Sequence, residues 1–265
     1  VERSDVVPIA LASIRDAVMA VQGGAVHWAL VPIENSVEGS VTVTLDTLVG
    51  EAADVSIVGE VVLPVRHCLI AHEPLSLAQI ETIVSHPHVP GQCTRFLSRE
   101  LHGARIVAAS STAEAVRLVA EGRDRHSAAI GTELAAELHG CAILARDIQD
   151  RADNETRFVW LVRTDAAPLA PPLRTDAGAR SKTSLVFWGA GADRAGWLVR
   201  CLDEFAKRAI NLTKIESRPM RERLGQYMFF LDLDGSLGDP AVAQAMSGLD
   251  ERCERVRVLG SYPAA

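Results

Sequence analysis

The sequence predicts an α/β protein: two α/β lobes followed by a smaller βαββαβ module of ferredoxin-like order. Three observations carry this. Short apolar runs alternate with stretches of helical spacing through the first half of the chain, the pattern of strands covered by helices. Between Val55 and Ala71 two extended runs adjoin with only Pro64 between them, long enough to cross from one lobe to another. Residues 166–181 contain three prolines, small residues and no period, which marks a linker. At about 150 residues per domain, 265 residues fit this division.

Taken in order, Leu11, Ile14, Val18 and Val21 follow helical spacing up to a stop at Gly23-Gly24, and 27–33 reads as a strand. Strands over 80–84, 105–109 and 128–131 alternate with helices over 92–101, 112–121 and 133–138, which predicts a largely parallel sheet covered on both faces. Ser111 and Glu114 form a Ser-x-x-Glu capping box at the start of the middle helix. Beyond the linker, strands over 183–188, 210–217, 227–233 and 256–259 and helices over 197–208 and 240–249 complete the module, with Leu198, Leu202 and Phe205 turned inward.

Composition excludes several functions. With 27 basic against 34 acidic side chains, a formal charge of −7, the chain lacks the field that attracts nucleic acid or an anionic membrane surface. No apolar run approaches the ~20 residues of a membrane span. The five cysteines are widely spaced without a Cys-x-x-Cys, as expected of reduced thiols in a cytoplasmic protein. Lysine occurs only at 182, 207 and 214, so Schiff-base chemistry is excluded from the first two thirds. His86-x-His88 lacks the spacing of a metal site. Cys93 has no base beside it in sequence and reads as a packing residue. Gly189-Ala190-Gly191 imitates a dinucleotide fingerprint, but Gly196 is misplaced for it and the module is too short for that fold.

Two segments concentrate polar groups. Val31-Pro32-Ile33-Glu34-Asn35-Ser36-Val37-Glu38-Gly39-Ser40-Val41 places a carboxylate, an amide and hydroxyls at the end of a strand, where open α/β sheets bind ligands. Asp150-Arg151-Ala152-Asp153-Asn154-Glu155-Thr156-Arg157-Phe158 does the same before the last strand of the first domain. Together with Ser85-His86-Pro87, Gln92-Cys93 and Ser111-Thr112-Ala113, which appear between them in order, they resemble the prephenate dehydratases. Ile210-Asn211-Leu212-Thr213-Lys214-Ile215-Glu216-Ser217-Arg218-Pro219 and Leu259-Gly260-Ser261-Tyr262-Pro263 resemble the phenylalanine-sensing ACT domain that such enzymes carry.

The resemblance implies a periplasmic-binding-protein-like catalytic domain over 1–165, a linker over 166–181 and an ACT regulatory domain over 182–263. It implies conversion of prephenate to phenylpyruvate with loss of water and carbon dioxide, in phenylalanine biosynthesis, with no cofactor and with L-phenylalanine as effector. Thr156 is the expected catalytic residue, hydrogen bonded to the leaving hydroxyl. Glu34, Asn35, Ser36, Ser85, Gln92, Ser111, Thr112, Arg157 and Phe158 are the expected substrate contacts, with Arg157 either pairing a substrate carboxylate or shaping the site from behind. Because neighbours on a strand face opposite ways, Thr156 and Arg157 are not expected to meet one ligand atom. Gly196, Leu198, Asn211, Leu212, Glu216 and Ser217 are the expected phenylalanine contacts, at an interface between modules of a homodimer or homotetramer.

Two departures from the family pattern accompany the resemblance. The Gly-Pro-x-Gly-Thr-Phe loop that opens related chains does not precede Val6, so the first lobe is expected to lack that loop and its strand. Where relatives have Pro-Gly-Ala-Leu, this sequence has Ala195-Gly196-Trp197-Leu198, and the indole is expected to overfill the effector site. Arogenate dehydration, and amino-acid sensing without catalysis by a truncated enzyme, are the alternative functions.

Overall fold

A computed structural model describes residues 6–122, 124–165, 180–189, 194–221 and 223–265. Most of the expected linker and Ala190-Gly191 of the dinucleotide-like run lie outside these residues. The chain divides into two compact units, one formed by Val1–Leu63 with Thr156–Ala265, the other by Pro64–Glu155.

The first unit begins with helix α1 (Ile14–Gln22), whose N-cap Ser13 accepts from the Asp16 amide and whose Val18 and Val21 are buried. Strand β1 (Ala29–Asn35) follows, then the two-residue β2 (Gly39–Ser40), helix α2 (Thr42–Gly50) and the long β3 (Val55–Pro64). Glu34 and Asn35 therefore lie on a strand and not in the loop beyond it.

The second unit contains β4 (Cys68–Ala71), β5 (Thr82–Ser85), α3 (Thr94–Glu100), β6 (Arg105–Ala108), α4 (Thr112–Glu121), β7 (Ser127–Gly131), α5 (Glu133–His139) and β8 (Ala142–Ala145). Its sheet has the order β6-β5-β7-β4-β8. Strand β5 is parallel to β6 and β7, while β4 runs antiparallel to β7 and β8, so the expected parallel sheet holds for every strand except β4. Alternate residues fill two cores. Cys68, Ile70, Val84 and Ala129 meet α4 and α5 on one face, and Leu69, Ile83, Ala128 and Ile130 meet α3 on the other.

The chain returns to the first unit in β9 (Glu155–Arg163), which inserts between β1 and β3 in a sheet of order β2-β1-β9-β3. Both β9 and β2 pair antiparallel to β1, so here the expectation of parallel strands fails. The reason is topological: the strand returns from the second unit and has no crossover helix of its own to reverse it.

The C-terminal part comprises β10 (Ser181–Trp188), α6 (Trp197–Ala206), β11 (Leu212–Pro219), β12 (Tyr227–Asp234), α7 (Pro240–Asp250) and β13 (Arg255–Pro263). Its antiparallel sheet has the order β11-β12-β10-β13, the ferredoxin-like arrangement. Leu185, Phe187, Leu231 and Leu233 pack under α6 and α7. The opposite face is also covered, because Val186, Phe230, Leu259 and Tyr262 join Val18, Ile33, Leu45, Ile57 and Val159 in one core. This shared core is why the compact units cut across the sequence-based division at 165 and 182. At Gly260 the two layers come so close that an added Cβ would lie 2.1 Å from the Ile57 carbonyl oxygen.

Candidate functional site

Cross-strand register assembles the polar residues of the first unit. Glu34 lies opposite Ser40 on one side and Arg157 on the other, and Asn35 opposite Gly39 and Thr156. The Asn35 Oδ1 accepts the Val37 and Glu38 amides, each at 2.9 Å, in a turn that closes on itself. That fixes which end of the amide faces outward, so Nδ2 donates to Thr156 Oγ1 at 3.0 Å. A hydroxyl that accepts one bond keeps its own proton for another partner. Ser36 is exposed in the same turn, and Phe158, opposite Pro32, is half-buried on the Thr156 side of β9.

Arg157 points the other way. Its guanidinium donates to Glu34 at 2.9 and 3.1 Å, to Glu60 at 3.1 Å and to Asp232 at 2.6 Å, and its side chain is only 10% exposed. Asp232 in turn accepts from Ser184, which also hydrogen bonds the Tyr262 hydroxyl, and Glu60 accepts from Lys182. Burial opposes the charge of Arg157, but Asp232, Tyr262, Glu34 and Glu60 outweigh it and hold the guanidinium more firmly protonated than usual. Four of its five N–H donors thus go to protein carboxylates, which favours the second of its two expected roles, shaping the site from behind, over pairing a substrate carboxylate. Two of those carboxylates, Glu60 and Asp232, escaped the sequence reading, although a lone acidic residue inside an apolar strand is a visible signal of a buried partner.

In the second unit, Gln92 Oε1 accepts from Asn154 Nδ2 at 3.0 Å and lies 3.0 Å from His67 Nε2. The Asp150 carboxylate receives the Thr94 and Arg95 amides, each at 2.9 Å, and so caps α3. The two motif segments, Gln92-Cys93 and Asp150 to Asn154, are therefore knitted together. Ser85 is fully buried, its hydroxyl donating to the His86 carbonyl at 3.3 Å. Ser111 accepts the Glu114 amide at 3.0 Å, as a cap should. The reciprocal half of the capping box is missing, because the Glu114 carboxylate instead takes a bidentate pair from Arg117. Thr112 opens α4 beside it. Burial pushes the Cys93 thiol up to about 12, which rules out a thiolate nucleophile near neutral pH.

The expected effector residues separate within one chain. Gly196, in the left-handed region at φ 76°, and Leu198 stand at the N-terminal end of α6. Asn211, bonded to Asp234 at 2.9 Å, and Leu212 follow its other end, about 15 Å along ten helical residues. Glu216 is half-buried and Ser217 exposed further along β11. Trp197 does not fill a ligand site: it is 5% exposed, packs against Phe187 and Phe229, and donates Nε1–H to the Arg252 carbonyl at 2.9 Å. The overfilling expected from the sequence is not seen, because the first turn of α6 directs the indole into the module's own core.

Comparison with known proteins decides the family. The model of the prephenate dehydratase family matches residues 1–166. The prephenate dehydratase of Mycobacteroides abscessus is 42% identical over 98% of this chain and 80% of its own length. The chain belongs to the prephenate dehydratase family. Relatives bearing that name are carbon–oxygen lyases. Among solved structures, prephenate dehydratase from Arthrobacter aurescens in complex with L-Phe matches 98% of this chain and 82% of its own, with a TM-score of 0.84 and 38% identity. GqqA, described as a novel type of quorum quenching acylase, matches 100% of this chain and 92% of its own with a TM-score of 0.83 and 30% identity. One fold thus carries two named activities, and which of them a chain has is decided by the residues at its site. No helix among the described residues is long and apolar enough to cross a membrane.

Proposed function

We propose that this chain is a prephenate dehydratase, with Thr156 as its catalytic residue and L-phenylalanine as its effector. The observation that carries the reading is the Asn35–Thr156 hydrogen bond, which engages the threonine oxygen as acceptor and leaves its proton to donate. Prephenate loses its ring carboxylate as carbon dioxide and its para hydroxyl as water. The electrons of the broken C–C bond enter the ring, those of the C–O bond leave with oxygen, and one proton is consumed. Aromatisation supplies the driving force. The enzyme's task is to stabilise charge on the departing oxygen, which a positioned donor does even when it is a weak acid. Ser36, Phe158, Ser85, Gln92, Ser111 and Thr112 are substrate contacts in this reading, with Glu34 and Arg157 shaping the site from behind.

The C-terminal part is, in the same proposal, an ACT domain. Its effector residues sit at opposite ends of α6, so one phenylalanine touching both sets requires a second copy of the chain, hence a homodimer or homotetramer. The reading carries a cytoplasmic location, where free thiols persist. The test is turnover of prephenate to phenylpyruvate by the full chain, with arogenate as the competing substrate, repeated for Thr156→Ala and with L-phenylalanine added. Activity lost by about a hundredfold or more in the variant supports the assignment. Near-normal turnover in that variant, or none in the parent, refutes it. A monomer by light scattering with and without phenylalanine would refute the effector site between copies.

A further inference from the structure

Lys214 lies on β11, in the C-terminal module, yet its ammonium reaches into the motif loop of the first lobe. Its side chain is 8% exposed, and Nζ donates to Ser40 Oγ at 2.7 Å. Glu216 Oε2 lies 3.6 Å away and Glu34 Oε2 3.9 Å away. The Glu216 atom is buried and accepts no hydrogen bond, so Lys214 is its nearest compensating charge. Ser40 and Glu34 are a cross-strand pair of the hairpin, and the adjacent pair, Asn35 with Gly39, closes it and includes the donor to Thr156. Four residues further along the same strand, Arg218 holds Asp46 of α2 at 2.8 Å, which ties down the helix that follows the hairpin.

We infer that Lys214 is a positioning residue for the reaction: by pinning Ser40 and Glu34 it sets the hairpin that aims Asn35 at Thr156. This rests on the reading of Thr156 given above and extends it, since it makes the C-terminal module a structural part of the catalytic apparatus. Neighbouring charges explain why lysine is used. Arg157 already takes Glu34 from one side with a planar fork, and the second cation must approach from β11 as a compact point charge that also reaches Ser40. Because Lys214 lies between Glu216 of the proposed effector strand and Glu34 of β1, a shift of β11 would alter its hold on the hairpin.

The test compares Lys214→Met, Lys214→Arg and Ser40→Ala with the parent, each as the full chain. Positioning predicts a fall of about tenfold or more in kcat for Lys214→Met with KM for prephenate changed much less, partial rescue by arginine, and an intermediate loss for Ser40→Ala. A purely structural role would lower the melting temperature and leave kcat alone. Hydrogen exchange at the Val37 and Glu38 amides reads the hairpin independently of turnover, and faster exchange in Lys214→Met and Ser40→Ala is expected. Unchanged exchange and unchanged kcat in both variants would overturn the inference. Absence of turnover in the parent would refute the reading of Thr156, while the exchange experiment would still decide the role of Lys214 in holding the hairpin. If Lys214→Met does not fold, Ser40→Ala, which leaves the Lys214 ammonium beside Glu216 and Glu34, carries the test.

Discussion

Asn35 and Thr156, separated by most of the first half of the chain, face each other on antiparallel strands with the amide of one donating to the hydroxyl of the other at 3.0 Å. Since Asn35 is locked by its two backbone bonds, it acts as a fixed donor rather than an adaptable one. Replacing it with alanine is expected to lower kcat about tenfold to a hundredfold through loss of orientation, with a smaller change in KM. Steady-state kinetics on prephenate checks this, and equal losses in the two parameters would contradict it.

Arg157 should be needed for folding as much as for activity. Arg157→Met leaves Glu34, Glu60 and Asp232 without their common cation, a change expected to cost about 3–5 kcal/mol in unfolding free energy. Arg157→Lys should recover only part of this, because an ammonium cannot span three carboxylates as a fork does. Urea denaturation of the two variants distinguishes this from a role confined to substrate binding.

Gly260→Ala should separate the two layers of the first unit. The new methyl group would meet the Ile57 carbonyl oxygen, a backbone atom that cannot swing aside. A loss of about 1–3 kcal/mol is expected from the overpacking, read as a lower midpoint in denaturant.

Alkaline pH should weaken the fold through Tyr262. Burial, then the charge of Asp232, raises the pKa of its phenol above the ordinary range, so the folded state holds the proton more tightly than the unfolded one. The stability this contributes is complete below the unfolded pKa of about 10 and is lost as pH rises toward the folded value. Tyr262→Phe should start less stable, having lost the Ser184 bond, and decline less steeply above pH ~10. Absorbance titration of the phenolate in the parent should show Tyr262 ionising only together with unfolding.

Trp197→Ala should behave as a core truncation and cost about 3–5 kcal/mol. If the indole were blocking a ligand site, the same change would instead tighten phenylalanine binding with little loss of stability. Calorimetry on the parent and the variant separates the two.

Much of this was readable in the chain beforehand. The strands and helices of the C-terminal module follow from periodicity, but the faces of β10 and β12 do not: Leu185-Val186-Phe187 and Phe229-Phe230-Leu231 are continuous apolar runs, because both faces are buried. Helix α2 was not readable. Its sequence, Thr42-Val43-Thr44-Leu45-Asp46-Thr47-Leu48-Val49-Gly50, is rich in β-branched residues that disfavour a helix. Tertiary burial overrides that preference, and the hydroxyls of Thr44 and Thr47 are satisfied by the carbonyls of Pro32 and Val43. Thr156 was found from a motif, but its partner across the sheet depends on β1 meeting β9, a pairing that no local pattern encodes. Lys214 is not legible as a site residue for the same reason, since it acts on a segment remote in sequence, and for Asp232 the sequence signals a buried partner without saying which.

The insertion of β9 between β1 and β3 also bears on how the chain is made. During synthesis the residues up to Pro64 emerge before the strand that completes their sheet and before the later residues that complete their core. The residues from Pro64 to Glu155, whose pairings are all internal, have what they need as soon as they leave the ribosome. The middle of the chain is therefore positioned to fold first. The strands β1 and β3 must wait for β9 to complete their sheet, and the core beneath them stays open until Val186, Phe230, Leu259 and Tyr262 have been added, an interval in which exposed apolar surface invites aggregation.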